Sequence, residues 1–286
     1  MVSGLRRHLG VVQLRQEAQP RRFADLDGAP FPEFVAGTVW IAGAGPGAAG
    51  LLTLMAAHGL MQADVVVHDS LVCDEVLAFA PTARLIHAGK RGGKPSADQT
   101  DISQTLIDEA LAGHKVMRLK GGDPFLFGRG GEECEALAAA GVAFRVVPGV
   151  SAGLGGLGYA GIPATHRDTN QSVTFLTGHD LTGTLPTAID WALIAKASPV
   201  LVMYMAAKHL SPIAERLMAA GRSPDEPVAA ISNATLPSQT HHHMTLVEAT
   251  LPQNIPTPAV IVIGANVARA ERIAWFDAAA SAGLMG

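Results

Sequence analysis

The chain has 286 residues, of which 48% are hydrophobic and 16% are charged, so it can build a buried core and is not a disordered protein. Its 21 Lys and Arg residues against 25 Asp and Glu residues leave a formal charge of −4, which argues against nucleic-acid binding through an overall positive field. The chain has only two cysteines, Cys73 and Cys134, and no apolar run of the roughly 18–20 residues that a membrane helix needs. We therefore expect a cytoplasmic α/β enzyme without a bound metal.

Residues 1–36 are predicted to be a flexible N-terminal extension. They are rich in arginine but lack the apolar core of a secretory signal, and their acidic residues speak against a transit peptide. The extension ends in the proline-bearing stretch at residues 28–34.

From residue 38 onward, short β-branched runs alternate with helical stretches, as is typical of βαβ units. Helices are expected at residues 51–62, 102–111 and 132–140, and Asp101 or Ser103 is expected to cap the second of them. The predicted strands lie at residues 38–42, 65–68, 85–88, 116–119 and 144–147. This alternation predicts a mainly parallel sheet with helices on its faces.

A second series of elements begins after the break at Pro148 and Gly149. Residues 151–161 contain five glycines, which is unusual for a helix and suits close backbone packing around a ligand. A helix is then predicted at residues 213–220, among strands at residues 173–177, 200–204, 228–232 and 259–263. We therefore expect two α/β domains, residues 37–150 and residues 151–286, the second of which includes an interdomain segment at 151–168.

The first predicted strand leads into a glycine loop, GAGPGA, at residues 43–48. The loop satisfies the G-x-G-x-x-G/A fingerprint of dinucleotide-binding proteins, and Asp69 follows Gly45 by 69 − 45 = 24 residues, at the end of the next strand. An oxidoreductase that binds NAD or a flavin is therefore one hypothesis. A tight turn that contacts no ligand is the other, because so short a pattern is not specific.

Two further glycine regions also follow predicted strands. KGGDPF at residues 120–125 leads directly into GRGGEE at residues 128–133, and PGVSA occupies residues 148–152. Open α/β sheets bind ligands at the carboxyl ends of their strands. A dinucleotide fold does not require these two regions, so three glycine loops at one sheet edge favour a different ligand.

Here the chain resembles the tetrapyrrole methylases, and especially the branch that acts on uroporphyrinogen III. Two segments are highly specific: RLKGGDPFLFGRGGEE at residues 118–133 and YAGIPATHR at residues 159–167. The resemblance runs from Val39 to Trp275, nearly the whole chain without its extension. The matching segments lie at residues 39–54, 89–95, 118–133, 146–152 and 159–167.

The resemblance implies methyl transfer from S-adenosyl-L-methionine (SAM), leaving S-adenosyl-L-homocysteine, to two carbons of uroporphyrinogen III, C2 and C7. The product would be precorrin-2, formed via precorrin-1 and used for sirohaem or cobalamin. The resemblance also implies two α/β domains, an active site in the cleft between them, and a homodimer. Methylation of a later precorrin and a non-catalytic tetrapyrrole carrier remain alternatives, beside the dinucleotide enzyme.

Positions that match the family imply a cofactor site formed by the three glycine loops and the second domain. Glycines let backbone atoms approach a cofactor with no Cβ in the way, and Asp123 is expected to accept hydrogen bonds from a hydroxyl or amino group. The implied cofactor-binding residues are Pro46, Gly121, Gly122, Asp123, Leu126, Ser151, Ala152, Met205, Ala234 and Ala259.

Asp69 and Lys90 match acid–base positions, and Arg129 is a further candidate for proton transfer. A guanidinium is a poor base because its pKa is so high, so we expect Arg129 to bind a carboxylate instead. The eight carboxylates of uroporphyrinogen III need local cations, and Lys94, Arg118 and Lys120 are expected to help supply them. The substrate-binding residues that the resemblance implies are Lys90, Arg91, Arg129, Glu132, His166 and Arg167.

The chain also departs from the family pattern. Ala48, His68 and Ser151 stand where Asp, Tyr and Thr are usual, and we expect the cofactor site to tolerate all three changes. The run of three histidines at residues 241–243 is not part of the pattern. Adjacent side chains cannot all point one way along a strand, so this run is predicted to be a solvated loop.

Overall fold

The computed structural model describes residues 31–88, 99–180 and 183–277. Within these ranges, all helices and strands belong to one compact unit that begins at Phe34. They form two five-stranded sheets with helices packed against them. Most of the predicted flexible extension, residues 1–30, lies outside the described residues. Its upper bound at residue 36 is wrong, because Phe34 is fully buried and its ring stacks on Trp40.

The first sheet contains β1 (Val39–Gly43), β2 (Val65–His68), β3 (Arg84–His87), β4 (Val116–Lys120) and β5 (Phe144–Val147). Its order is β3-β2-β4-β1-β5, and every neighbouring pair is parallel. The helices between these strands are α1 (Leu54–Gln62), α2 (Asp74–Leu77), α3 (Gln99–Leu111) and α4 (Gly130–Ala139). The predicted parallel sheet is therefore confirmed.

Helices cover both faces of this sheet, which explains its Val- and Ile-rich strands. Because side chains alternate along a strand, Trp40 packs with Leu60 of α1 on one face. Ile41, the next residue, packs with Leu106 of α3 and Leu137 of α4 on the other face. Every residue of the central strands β1 and β4 is buried.

The second sheet follows helix α5 (Ala152–Tyr159) and is mixed. Its strands are β6 (Thr174–Thr177), β7 (Leu201–Tyr204), β8 (Pro227–Ser232), β9 (Thr240–Thr245) and β10 (Ala259–Ile263). In the order β6-β7-β10-β8-β9, only β6 and β7 pair in parallel. The helices α6 (Trp191–Ala197), α7 (Leu210–Ala219) and α8 (Ala270–Ile273) complete this half.

Two local expectations from the second half of the chain are wrong. The glycine-rich segment forms helix α5, although five glycines had argued against a helix. The histidine run lies in strand β9, which pairs with β8 at the edge of the second sheet and exposes all three histidines. An edge strand tolerates alternating solvent-exposed side chains, so the three histidines need not share a direction.

The expected cap of α3 is also wrong. The helix is already present at Gln99, so Asp101 and Ser103 lie within it, and Ser103 is buried. No helix in the described parts of the chain is both long and apolar enough to cross a bilayer. The domain boundary at residue 150 stays a prediction.

Candidate functional site

A cavity of about 400 Å³ lies where the carboxyl ends of β1, β2, β4 and β5 face the second sheet. The first sheet contributes the three predicted glycine loops and Leu71. The second sheet contributes the connections that follow β7 and β8 and the start of β10. Ligand pockets commonly have volumes of about 300–1,000 Å³, so this cavity is large enough for a small-molecule cofactor.

The three glycine loops meet through Gly43, Gly122 and Gly149, which we call the three-glycine contact. A Cβ on Gly43 would lie 2.4 Å from the carbonyl oxygen of Gly122, and a Cβ on Gly149 would lie 2.3 Å from the same oxygen. The first two loops also exchange backbone hydrogen bonds between Gly45 and Gly122. The contact therefore explains why each loop carries a glycine: backbone packs directly on backbone.

Gly122 itself differs from the other two glycines of this contact. Its φ is +68°, which disfavours residues with a side chain, yet a Cβ there would meet nothing closer than 3.9 Å. Because Gly122 lines the cavity, a side chain at this position would project into space that a ligand can use.

Helix α5 brings the third loop against the second sheet through Tyr204. The Tyr204 hydroxyl lies 2.5 Å from Ser151 Oγ and accepts a hydrogen bond of 2.8 Å from the Gly153 backbone N–H. A Cβ on Gly153 would lie 2.2 Å from this hydroxyl, so a glycine is required there despite its low helix propensity. Burial raises the pKa of Tyr204, which keeps the phenol protonated.

All ten residues predicted to bind the cofactor line this one cavity, although they come from both halves of the chain. Pro46 belongs to the first loop, while Met205 follows β7 and Ala234 follows β8. The ten are Pro46, Gly121, Gly122, Asp123, Leu126, Ser151, Ala152, Met205, Ala234 and Ala259.

Asp123 also has a structural function, as a turn residue before Pro124 and as a link between two loops. One carboxylate oxygen accepts a hydrogen bond of 2.8 Å from the Phe125 N–H, and the other accepts one of 3.0 Å from the Gly149 N–H. The side chain thus ties the second loop to the third. Each oxygen retains a second lone pair that a ligand hydroxyl or amino group can use.

Fifteen further cavity residues are absent from the predicted set of ten, and three of them, Gly45, Gly47 and Gly128, belong to the predicted glycine loops. Tyr204 and Lys208 are the most informative, because Tyr204 positions α5 and Lys208 places a cation in a cavity whose surface is mostly apolar. Their only signal was their position on either side of Met205 and Ala206. The fifteen are Gly45, Gly47, Leu71, Phe127, Gly128, His179, Tyr204, Ala207, Lys208, Ile231, Asn233, Leu236, Thr257, Pro258 and Val260.

Asp69 does not line the cavity but lies beside it, two residues before Leu71, in what we call the β4 charge cluster (Asp69, Arg118, Lys120 and Glu133). Arg118 Nη2 donates a 2.5 Å hydrogen bond to Asp69 Oδ1, and Arg118 Nε donates one of 2.9 Å to Glu133 Oε1. Lys120 Nζ lies 3.0 Å from the same Glu133 oxygen.

The expected role of Arg118 and Lys120 as substrate-binding cations is therefore wrong. The Arg118 and Lys120 side chains are only 2% and 3% exposed, and Glu133 is fully buried between them. Burial is the main cause that lowers the pKa of Lys120, and the neighbouring charge of Arg118 adds to it. A buried charge needs a partner of opposite sign, so these cations serve Glu133 and Asp69 instead of a ligand.

Arg129 and Glu132 lie at the start of α4, outside the cavity lining. Arg129 adopts φ +58° and is 47% exposed, and its guanidinium forms two hydrogen bonds, of 2.9 and 2.7 Å, with the Glu132 carboxylate. The bond from Arg129 lowers the pKa of Glu132. Such a fork matches the geometry of a carboxylate, so the same guanidinium is suited to bind a carboxylate on a substrate.

The other predicted substrate residues that the structure describes, His166 and Arg167, also lie outside the cavity lining. The His166 backbone N–H is hydrogen-bonded to Asn170 Oδ1 at 3.1 Å. Lys90, Arg91 and Lys94 lie outside the described residues. Within the three described ranges, no three His, Cys, Asp or Glu side chains converge as metal ligands do.

Comparisons with known proteins identify the family of the chain. Residues 38–250 match the family described as Tetrapyrrole (Corrin/Porphyrin) Methylases. A curated uroporphyrinogen-III C-methyltransferase from Sinorhizobium sp. is 54% identical over 254 residues, which cover 87% of this chain and 91% of the relative. Siroheme synthase 3 of Aeromonas hydrophila is 48% identical over 84% of this chain, and the chain spans about half of that relative (51%).

A solved structure with the same fold carries a ligand. Uroporphyrin-III C-methyltransferase from Thermus thermophilus, complexed with S-adenyl homocysteine, matches with a TM-score of 0.70 and 36% identity. The alignment covers 81% of this chain and 99% of that structure. Both α/β halves of the chain therefore belong to a known two-domain fold.

Proposed function

The chain belongs to the tetrapyrrole methylase family, and from that premise we propose that it methylates uroporphyrinogen III with SAM. One observation carries the proposal: ten predicted cofactor positions, distant in sequence, line a single cavity. The 54% identity to a relative named for this activity supports the choice of substrate.

The cavity suits SAM chemically. Its surface is mostly apolar, as an adenine ring and a methionine side chain require, and backbone atoms of Gly121 and Gly122 are open to it. Asp123 and Lys208 add one charged group of each sign for the amino and carboxylate ends of the cofactor. We assign cofactor binding to the ten predicted residues.

Bound SAM supplies an electrophilic methyl group on a sulfonium, so transfer to a ring carbon is a displacement that depends on alignment. As the carbon–carbon bond forms and the carbon–sulfur bond breaks, the macrocycle gains charge and must lose a proton. Asp69 is the proposed acceptor of that proton, because its carboxylate is 31% exposed beside the cavity. Arg129 is the proposed carboxylate clamp.

The finer parts of the proposal follow from the resemblance. The methylated carbons are C2 and C7, and precorrin-1 precedes precorrin-2, which feeds sirohaem or cobalamin formation. Lys90, Arg91, His166 and Arg167 complete the proposed substrate and acid–base residues. The enzyme acts in the cytoplasm as a homodimer, and two α/β domains that meet near residue 150 enclose the active-site cleft.

The dinucleotide hypothesis lacks the local geometry that it needs. The fingerprint of such proteins places the phosphates at the N-terminus of the helix that the glycine loop opens. Here α1 begins only at Leu54, after a short 3₁₀ turn at Ala49–Leu51, and the Thr53 hydroxyl already caps the Ala56 N–H. The N-terminus of α1 therefore does not directly follow the glycine loop, as phosphate binding by this fingerprint requires.

The test is an anaerobic incubation of the protein with SAM and enzymatically made uroporphyrinogen III, followed by mass spectrometry of the tetrapyrrole. We expect a gain of two methyl groups, with a monomethylated species at early times. An unmodified tetrapyrrole with SAM bound would contradict the substrate assignment and favour a later precorrin. Binding of NAD without SAM would contradict the cofactor assignment as well.

A further inference from the structure

Asp69 is held by one oxygen only. Arg118 Nη2 contacts Asp69 Oδ1 at 2.5 Å, whereas within the described residues no donor reaches the other carboxylate oxygen, Oδ2. The Asp69 backbone N–H is fixed as well, by a hydrogen bond of 3.2 Å to the Leu119 carbonyl. The carboxylate therefore has a fixed orientation, its side chain is 31% exposed, and no donor of the described residues engages Oδ2.

Arg118 in turn is too deeply buried to bind a ligand itself. Its Nε binds Glu133, and its Nη1 points to the carbonyl oxygens of Val67 and Leu119, each at 3.4 Å. With 2% of its side chain exposed, Arg118 cannot reach into the cavity. Its influence on a bound substrate must pass through Asp69.

Glu133 anchors this arrangement from α4. Its Oε1 accepts from Arg118, from Lys120 and, at 2.9 Å, from Gln99 Nε2, while its Oε2 is buried without a partner in the described structure. Three donors on one oxygen bind Arg118 more rigidly than a surface ion pair would. Glu133 also connects the cluster to the helix that begins beside Arg129.

From these contacts we infer that Arg118 is a positioning residue, which holds Asp69 Oδ1 so that Oδ2 faces the tetrapyrrole and accepts its proton. The inference rests on the proposed function, in which Asp69 is the proton acceptor. Lys120 shares the strand, the burial and the Glu133 partner with Arg118, but it makes no hydrogen bond to Asp69. Lys120 is therefore a matched control: its replacement removes an ion pair with Glu133 but leaves the hydrogen bond between Arg118 and Asp69.

The experiment compares Asp69→Asn, Arg118→Met, the double variant and Lys120→Met in the anaerobic methylation assay. We expect Asp69→Asn to lower kcat by about 100-fold and Arg118→Met by about tenfold or more, with the Kd for SAM unchanged. The double variant should match Asp69→Asn within about twofold, because Arg118 acts through Asp69. Lys120→Met should lower the Tm but change kcat by less than about twofold.

Arg118→Lys covers the case in which Arg118→Met does not fold. Lysine keeps the charge but lacks the planar fork, so it should fold and still lower kcat by several-fold, since it cannot hold Asp69 and Glu133 together. The inference would be overturned if the loss of kcat in the double variant equalled the product of the two single losses, or if Arg118→Met and Lys120→Met lost kcat equally. Either result would leave the proposed function intact. A wild-type protein that leaves uroporphyrinogen III unmethylated would overturn both.

Discussion

The cavity and the β4 charge cluster begin at the same strand but are built in opposite ways. In the loop that follows β4, the carbonyl oxygen of Gly122 packs so closely on Gly43 and Gly149 that a Cβ on either of those two glycines would be too large. Within β4, Arg118 and Lys120 extend into a network that only long charged side chains can form. The cavity therefore depends on glycines, which have no side chain, whereas the cluster depends on long charged side chains.

This difference separates two properties of the protein. Changes at the glycines should alter folding or SAM binding, because they occupy space on which the cavity depends. Changes at the charged residues should alter turnover and leave SAM binding in place, because none of the four cluster residues lines the cavity. The predictions below test that separation, starting with the largest expected effect.

Gly43→Ala should destabilise the fold by about 3 kcal/mol or more, because the new Cβ would lie 2.4 Å from the Gly122 carbonyl oxygen and neither backbone can move freely. Thermal unfolding should show a fall in Tm of several degrees. Gly50→Ala is the control, since a Cβ there meets nothing within 4 Å. An unchanged Tm for Gly43→Ala would refute the three-glycine contact.

Gly122→Val should fold but lose SAM binding by about 100-fold or more, which corresponds to about 2.7 kcal/mol. The branched side chain has room in the protein but fills the cavity, and the φ of +68° adds strain. Isothermal titration calorimetry with SAM measures the effect, and circular dichroism checks the fold. A normal Kd for SAM would show that the cofactor does not lie against the second loop.

Arg129→Ala should lower kcat by about tenfold or more, as expected for the loss of a charge-assisted contact worth about 1.5–3 kcal/mol. The Kd for SAM should stay within about twofold, because Arg129 lies outside the cavity lining. Arg272→Ala, an exposed arginine on α8, is the control. A similar loss of SAM affinity would place Arg129 in the cofactor site. Turnover and SAM binding would then not depend on separate regions of the protein.

The smallest effect is expected at a hydrogen-bond chain that ends on the first glycine loop. Gln239 Nε2 donates to His241 Nε2 at 2.6 Å, Gln239 Oε1 accepts from the Thr235 N–H, and Thr235 Oγ1 accepts from the Ala48 N–H. Although His241 is exposed at the edge of the sheet, partial desolvation lowers its pKa, and the charge of His243 lowers that pKa further. The folded protein therefore disfavours protonated His241.

Since the folded-state pKa lies below the ordinary value of about 6.5, the stability from neutral His241 is present above that pH and is lost as the pH falls through the folded pKa. We expect a modest drop in Tm between about pH 7.5 and about pH 5, and a smaller drop in His241→Gln. His242→Gln, on the neighbouring position of β9, should behave like the wild type. Equal drops in all three proteins would exclude His241 as the titrating group.

The glycine loops of the cavity could be predicted because glycines leave local marks, whereas Met205, Ala234 and Ala259 were predicted only from the family resemblance. Gly43, Gly122 and Gly149 indicate close approach of backbone to backbone, and their positions at the ends of buried strands place them at one edge of the sheet. The charged residues could not be assigned in the same way. Arg118 and Arg129 look equally available in the sequence, yet one is buried between two carboxylates and the other is exposed.

The same limit applies to α5 and β9. Four glycines lower the helix propensity of residues 152–159, but packing against Tyr204 outweighs propensity, and Tyr204 lies about 50 residues further along the chain. The three histidines carry no strand signal of their own, and pairing with the buried strand β8 decides their conformation.

By itself, then, the amino-acid sequence determined the parallel first sheet and the three glycine loops, since periodicity and glycine placement are local properties, and its resemblance to the family added ten of the residues that line the cavity. The tertiary structure alone decided which charges neutralise one another and which remain exposed. Asp69, Arg118 and Glu133 are far apart in the sequence, and only the pairing of β2 with β4 and the packing of α4 bring them within hydrogen-bonding distance.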